Sequence, residues 1–293
     1  MSKEICVFHL VWAPLGLRYF ERFVNSYRLN PGGVDHDLVL IFNGFDSEEQ
    51  MAPYLDIIAD VRYGTIIIKK PTWDLQAYFV AAVQVQSKYL CFLNSYSHLL
   101  DSEWLVKMYA AANHPNVGLV GATGSYQSIF SDRPWGPSQI GSRYWVKKKA
   151  VNYYLRQKWT NYFACFDPYP NAHIRTNGFL MPRSLMLHLK HPEFKTKLDT
   201  IKFESGKKGL TRQVTDKGFA ALVVGKDGHA YPVEDWHLSD TFRAGKQHNL
   251  LIADNRTEEY IIGDTATKEG LSKLAWGSAE VSRFSNESTQ TSR

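Results

Sequence analysis

Apolar positions follow two alternating rhythms along the first 125 residues. Short unbroken runs at 5–12, 38–42, 65–68, 89–93 and 117–120 have the length and β-branched content of buried strands. Between them, apolar residues recur at i, i+3 and i+4, the spacing of helices with one buried face. The stretch 15–29 places Tyr19, Phe20, Phe23 and Tyr27 on one stripe and stops before Pro31-Gly32-Gly33. Ser47 opens a short helix. Asp74 stands as an N-cap ahead of Leu75, Tyr78, Phe79, Ala82 and Val83, and Asp101 stands likewise ahead of Trp104, Leu105, Met108, Tyr109 and Ala112. Strand and helix in turn predict an α/β fold: a mostly parallel sheet sandwiched by helices, in a single domain.

The second half is less regular. Residues 123–172 mix Trp, Tyr, Pro, Lys and Arg without a clean period, which predicts a long loop and a helix near 147–159 covering a site. A strand at 178–181, helices at 185–189 and 209–217, the latter closed by Gly218, and a strand at 220–224 follow. The segment 225–255 is dense in polar and aromatic groups and is expected to close over a ligand. Patterning fades beyond residue 262, and the last sixteen residues hold seven Ser or Thr. The domain is therefore expected to span 1–262, with a polar, mobile tail over 263–293.

Composition narrows the function. The 293 residues are 44% hydrophobic and 22% charged, with a net charge of +5 too diffuse for a dedicated nucleic-acid binder. Such a charge suits anionic small molecules or weak attraction to an anionic membrane surface. Cys6, Cys91 and Cys165 share no CxxC spacing, which argues against a disulfide scaffold or a cysteine zinc site; Cys6 and Cys91 read as small buried hydrophobes. No apolar run approaches the roughly 18 residues of a membrane span, and the first strand leaves no room for a signal peptide. A cytoplasmic protein is expected, with at most peripheral contact at the inner face of the membrane. The chain has no GxGxxG, no P-loop and no GxSxG.

Open α/β sheets bind ligands at the carboxyl ends of their strands. Those ends read Trp12-Ala13-Pro14, Phe42-Asn43-Gly44-Phe45-Asp46, Pro71 to Asp74, and Leu93-Asn94-Ser95-Tyr96-Ser97. In this order they resemble the nucleotide-binding half of GT-A glycosyltransferases of family 2. Arg175-Thr176-Asn177-Gly178-Phe179-Leu180-Met181-Pro182-Arg183 resembles that family's acceptor-side strand. Phe203-Glu204-Ser205-Gly206, with Leu210, Arg212 and Gly218, resembles its Glu-Asp helix and downstream arginine. The resemblance covers roughly residues 5–225. It implies a Rossmann-like nucleotide-binding half over 1–122 and an acceptor-side half over 123–262. It further implies a nucleoside diphosphate sugar as donor, a glycan or lipid-linked acceptor, polysaccharide-type biosynthesis, and inversion.

On that resemblance, Trp12, Ala13, Asn43, Asp74, Asn94, Ser95 and Tyr96 would contact the donor. His173, Arg175, Asn177, Lys208, Arg212, Asp235 and Trp236 would contact phosphate or acceptor, and Glu204 would take the acceptor hydroxyl proton. Three of these have a second reading: Glu204 as a helix N-terminal carboxylate favoured by the dipole, Asp74 as the N-cap, and Asn43 as a left-handed turn residue before Gly44. Asp199 is the alternative base. The chain departs from the family where an Asp-x-Asp would hold Mg²⁺ or Mn²⁺, because Asn94 and Tyr96 stand at those positions. Hard cations prefer charged oxygen ligands, so Lys and Arg, Lys207 among them, are the expected source of positive charge for the leaving diphosphate. The rival reading is a nucleotide- or glycan-binding protein of the same fold without catalysis. A nucleotidyltransferase is disfavoured because no Arg- and Gly-rich loop follows the first strand.

Overall fold

The computed structural model describes residues 3–132 and 163–277. The helix expected near 147–159 lies outside them. In chain order the strands are β1 (Ile5–Trp12), β2 (His36–Asn43), β3 (Gly64–Ile68), β4 (Tyr89–Leu93), β5 (His98–Leu99), β6 (Val117–Gly121), β7 (Gly124–Ser125), β8 (His173–Ile174), β9 (Gly178–Pro182), β10 (Ala220–Val224), β11 (Ala230–Tyr231) and β12 (Ile252–Ala253). The helices are α1 (Leu17–Leu29), α2 (Glu48–Ile57), α3 (Asp74–Ala82), α4 (Trp104–Ala112), α5 (Arg183–Leu187), α6 (Lys197–Ser205), α7 (Leu210–Asp216), α8 (Asn255–Ile262) and α9 (Thr265–Trp276).

Eight strands form one sheet in the order β11-β10-β6-β9-β4-β1-β2-β3. The pairs β1–β2, β1–β4, β2–β3 and β6–β10 are parallel, as the alternation of strand and helix predicts. Two strands run against the others, β11 at the edge and β9 within the sheet, and β9 matters for function. β9 lies between β4 and β6 and runs antiparallel to both, with Gly178 opposite Leu93. Its reversal brings the residues before it, 175–177, to the same edge as the carboxyl ends of β1, β2 and β4.

Helices cover both faces. In β1, Cys6, Phe8 and Leu10 join Leu75, Tyr78, Phe203 and Leu210 on one side, while Ile5, Val7 and Val11 join Phe20, Phe23, Met51 and Trp104 on the other. Phe8 stacks on Phe92 with ring centroids 5.0 Å apart. Each such fully buried side chain contributes about 1.5–3 kcal/mol. Cys6 and Cys91 are buried in this core, and burial pushes the Cys6 thiol up to about 12.

Helix starts differ from expectation in two places. Asp74 is the first residue of α3, not its cap; Trp73 occupies the cap position without a side-chain bond. Asp101 pairs with Lys107 instead of capping α4, whose N-cap is Glu103 in a left-handed conformation (φ 61°). Gly218 takes the left-handed conformation (φ 84°) just beyond α7. The expected tail is also corrected in part: Thr265–Trp276 form α9, capped by Asp264, with the Trp276 indole N–H donating to the Phe242 carbonyl at 2.6 Å. Its buried face comprises only Ser272, Ala275 and Trp276, too narrow a stripe to show in the sequence. Residues 278–293 lie outside the described ones. Among the described residues, no helix is long and apolar enough to cross a membrane.

Candidate active site

The carboxyl edge of the sheet is built from loops bonded to one another. Trp12, 38% exposed, ends β1 opposite Asn43, and Ala13 begins a 3-10 turn. Asn43 is 1% exposed; its Nδ2 donates to the Thr72 carbonyl at 2.7 Å and its Oδ1 accepts from the Thr72 N–H at 3.0 Å. Both ends of the amide are engaged, so Asn43 staples β2 to the loop before α3. The left-handed turn residue is Gly44 itself (φ 80°).

After β4, the Asn94 N–H donates to the Asn177 carbonyl, and Asn94 Oδ1 accepts from the Tyr96 N–H and the Ser97 hydroxyl, each at 2.9 Å. Ser95 is buried, and Tyr96 meets the Tyr19 ring edge-on at 4.9 Å. These residues do not fit a divalent cation: one neutral oxygen is already doubly bonded, and the other position holds a phenol. Among the described residues, no three His, Cys, Asp or Glu side chains come together as a metal site.

Three consecutive residues tie this edge to the rest of the site. The Arg175 guanidinium bonds Asp254 at 2.7 Å and Thr123 Oγ1 at 3.3 Å, and lies over the Phe242 ring at 4.1 Å. The Thr176 N–H and hydroxyl both donate to Glu204 Oε1, at 2.8 and 2.9 Å. Asn177 turns its backbone to Asn94 and accepts from the Thr123 hydroxyl through its side chain at 2.7 Å. The reversed strand β9 thus begins by organising both the carboxyl edge and Glu204.

Glu204 opens onto a pocket of about 220 Å³ bounded by Asp167, Asn171, His173, Glu204, Thr211 and Arg212. It sits in the last turn of α6, which begins at a Thr196–Asp199 capping box. A carboxylate there is opposed by the helix dipole, so the reading of Glu204 as a helix N-terminal residue is wrong. What holds it is Thr176. His173 donates from Nδ1 to the Asn171 carbonyl at 2.8 Å, and Asn171 is fixed in turn by its Nδ2 bond to the Ser205 carbonyl at 2.7 Å. The ring is 9% exposed; burial lowers its pKa, while the Glu204 charge works against that shift. Asp74 lies within electrostatic reach of Glu204. Burial and then the Glu204 carboxylate push the Asp74 carboxyl up to about 6, although the Leu75 N–H bonded to it pulls the other way.

Of the residues the sequence singled out, the fold therefore gathers Glu204, His173 and Arg212 in one pocket. Several others serve elsewhere. Arg175 is neutralised by Asp254, and Asn177 is buried beneath the edge. Trp236 is fully buried, donating to the Tyr231 carbonyl at 3.1 Å and filling the space beside Gly124, so it offers no ring to a sugar. Asp235 lies in the same 3-10 turn, Lys208 is exposed, and neither lines the pocket. Asp199 is removed as the alternative base, because its carboxylate closes the capping box.

Sequence reasoning missed Thr176, Asn171, Asp167 and Asp254. Asp254 had a signal, since Asp254-x-x-Thr257 is a helix-start pattern, and it does cap α8. Asp167, which pairs with Arg212 at 2.7 Å at the pocket mouth, had none.

No family model matches the chain, and no curated protein is found similar to it. Solved structures similar to it include a mannosyltransferase of Pyrobaculum calidifontis in complex with GDP-mannose and Mn²⁺, at 10% identity and TM-score 0.47, covering 81% of this chain and 60% of that one. A 4-diphosphocytidyl-2C-methyl-D-erythritol synthase of Anaerococcus prevotii is 13% identical, with TM-score 0.42 and coverage of 69% and 81%. Residues 1–349 of S. aureus TarS, in complex with UDP-GlcNAc, are 11% identical, with TM-score 0.40 and coverage of 70% and 54%. The chain thus spans 60% and 54% of the length of the two transferase structures.

Proposed function

We propose that this chain is a glycosyltransferase that moves a sugar from a nucleoside diphosphate to a hydroxyl of a glycan or lipid-linked acceptor, with inversion, at the cytoplasmic side. The observation that carries the reading is the placement of Glu204. It is a carboxylate at the unfavourable end of a helix, held by two donors from Thr176 and open to a pocket next to the sheet's carboxyl edge. A neutral hydroxyl is a poor nucleophile, and a positioned carboxylate that accepts its proton contributes on the order of 10²–10⁴ in rate. In the step proposed, the acceptor O–H bond breaks toward Glu204 as its oxygen bonds the anomeric carbon. The bond from that carbon to the diphosphate breaks with its electron pair leaving on the diphosphate. Lys208, exposed and without an ion pair among the described residues, is the cation left to meet this charge, since Arg175 is paired with Asp254 and Arg212 with Asp167.

The bonded loops of the carboxyl edge favour a second reading, a protein that binds nucleotide without transferring sugar. Stabilisation by UDP, GDP, dTDP and CDP, each with Mn²⁺, with Mg²⁺ and with EDTA, tests both. The expected result is a gain with one base of about 2.7 kcal/mol at a hundredfold excess over Kd, retained in EDTA. No gain with any nucleotide overturns the donor assignment, and a gain without transfer of any sugar selects the second reading.

A further inference from the structure

The pocket presents two lone-pair groups, and the reaction above uses one. A carbonyl only accepts, so the bond from His173 to the Asn171 carbonyl places the proton on Nδ1 and leaves Nε2 bare. Among the described residues, no hydrogen bond reaches Nε2, nor does any reach Glu204 Oε2. Each group is anchored on one side and bare on the other, and both line the same pocket. Their anchors converge on the last turn of α6, because Asn171 is tied to Ser205, the residue after Glu204. The charges around the ring are Glu204 on α6, which favours the imidazolium, and Arg175 beyond β8, which opposes it. Asp167 and Arg212 at the mouth neutralise one another, and Asp74 on α3 lies within electrostatic reach of Glu204.

A neutral imidazole nitrogen and a carboxylate can only accept hydrogen bonds. The ligand that suits them brings a donor to each. We infer that His173 Nε2 and Glu204 together recognise a pair of neighbouring hydroxyls on the acceptor, so that the acceptor is a saccharide ring and not a lone alcohol. One hydroxyl donates to Glu204 and reacts; the other donates to His173 Nε2 and sets the orientation. This specificity rests on the transferase reading.

Two measurements keep the failures apart. In the full chain, ¹⁵N NMR of the histidine rings at pH 7 should show His173 as the Nδ1–H tautomer. Methyl hexopyranosides should move its Nε2 resonance, and 1-propanol at the same concentration should not. A protonated Nε2, or equal responses to glycosides and propanol, overturns the inference whether or not the protein transfers sugar. In transfer assays with a sugar-nucleotide panel, His173→Asn keeps an amide donor for the Asn171 carbonyl but removes Nε2. It should raise KM for methyl glycosides about tenfold, a larger factor than any fall in kcat; an unchanged KM for glycosides contradicts the inference. If the wild-type protein releases nucleoside diphosphate from no donor, the transferase reading fails, while the NMR result still decides whether His173 meets a diol.

Discussion

The carboxyl-edge loops and the Glu204 pocket lie on either side of one tripeptide, Arg175-Thr176-Asn177, yet they use their polar side chains in opposite ways. Asn43 engages both ends of its amide with Thr72, and Asn94 folds back on Tyr96 and Ser97. In the pocket, Glu204 and His173 are each held from one side and, among the described residues, bare on the other. Groups whose bonds are all made inside the protein hold loops in place. Groups half-bonded and facing a cavity remain available to a ligand. The chemistry is therefore assigned to the pocket and the shaping of the site to the edge.

That division can be broken most severely at the tripeptide's first residue. Asp254→Asn leaves the Arg175 guanidinium buried without its counter-charge, close to Arg243, whose own pKa is lowered to about 10 by burial and then by Arg175. The expected loss is about 3–5 kcal/mol in urea unfolding with an unchanged m value. The pH dependence has a definite sign. Burial alone would raise the Asp254 pKa, but Arg175 overrides it and holds the carboxyl below its ordinary value. The stabilisation is present above the unfolded-state pKa of about 4 and fades as pH falls through the lower folded value, so wild type and variant should converge in strong acid.

A smaller loss is expected on the edge. Asn43→Ala removes both bonds to Thr72 and should cost about 2 kcal/mol at all pH values between 5 and 9. A change below about 0.5 kcal/mol would mean that the staple is not structural.

The smallest effect is a gain. Asp74→Asn retains an acceptor for the Leu75 N–H and removes a charge within electrostatic reach of Glu204. A carboxyl raised to about 6 in the fold stabilises it below the unfolded value near 4 and loses that contribution as pH rises through 6. The variant should thus be more stable than wild type by about 1 kcal/mol at pH 8 and no more stable at pH 4. Equal stability at pH 8 would mean that burial does not raise the Asp74 carboxyl.

The contrast between the two regions also marks what could be read from the sequence. The apolar runs of β1, β2, β4 and β6 announce the sheet because strands covered on both faces are apolar throughout, while β3 reads as a strand although it is a half-exposed edge. The reversal of β9 has no such signal: Gly178-Phe179-Leu180-Met181 reads alike in either direction. Glu204 could be picked out by type, and its helix starts at Thr196-x-x-Asp199, a pattern that moves Glu204 to the far end of α6. The bonds that assemble the site are long-range. Arg175 finds Asp254 across 79 residues and Thr176 finds Glu204 across 28, and no local pattern records either. Trp236 and Asn43 share one ambiguity in the sequence: a polar or aromatic residue near a strand end can serve the core or the ligand, and both are buried.

The most direct test of the account compares wild type with Glu204→Gln, a substitution that keeps an acceptor for Thr176 and removes the basic carboxylate. Nucleoside diphosphate affinity and sugar transfer are measured on the same preparations. The account predicts affinity within about twofold of wild type and transfer reduced by at least about 10². Transfer at the wild-type rate would contradict it.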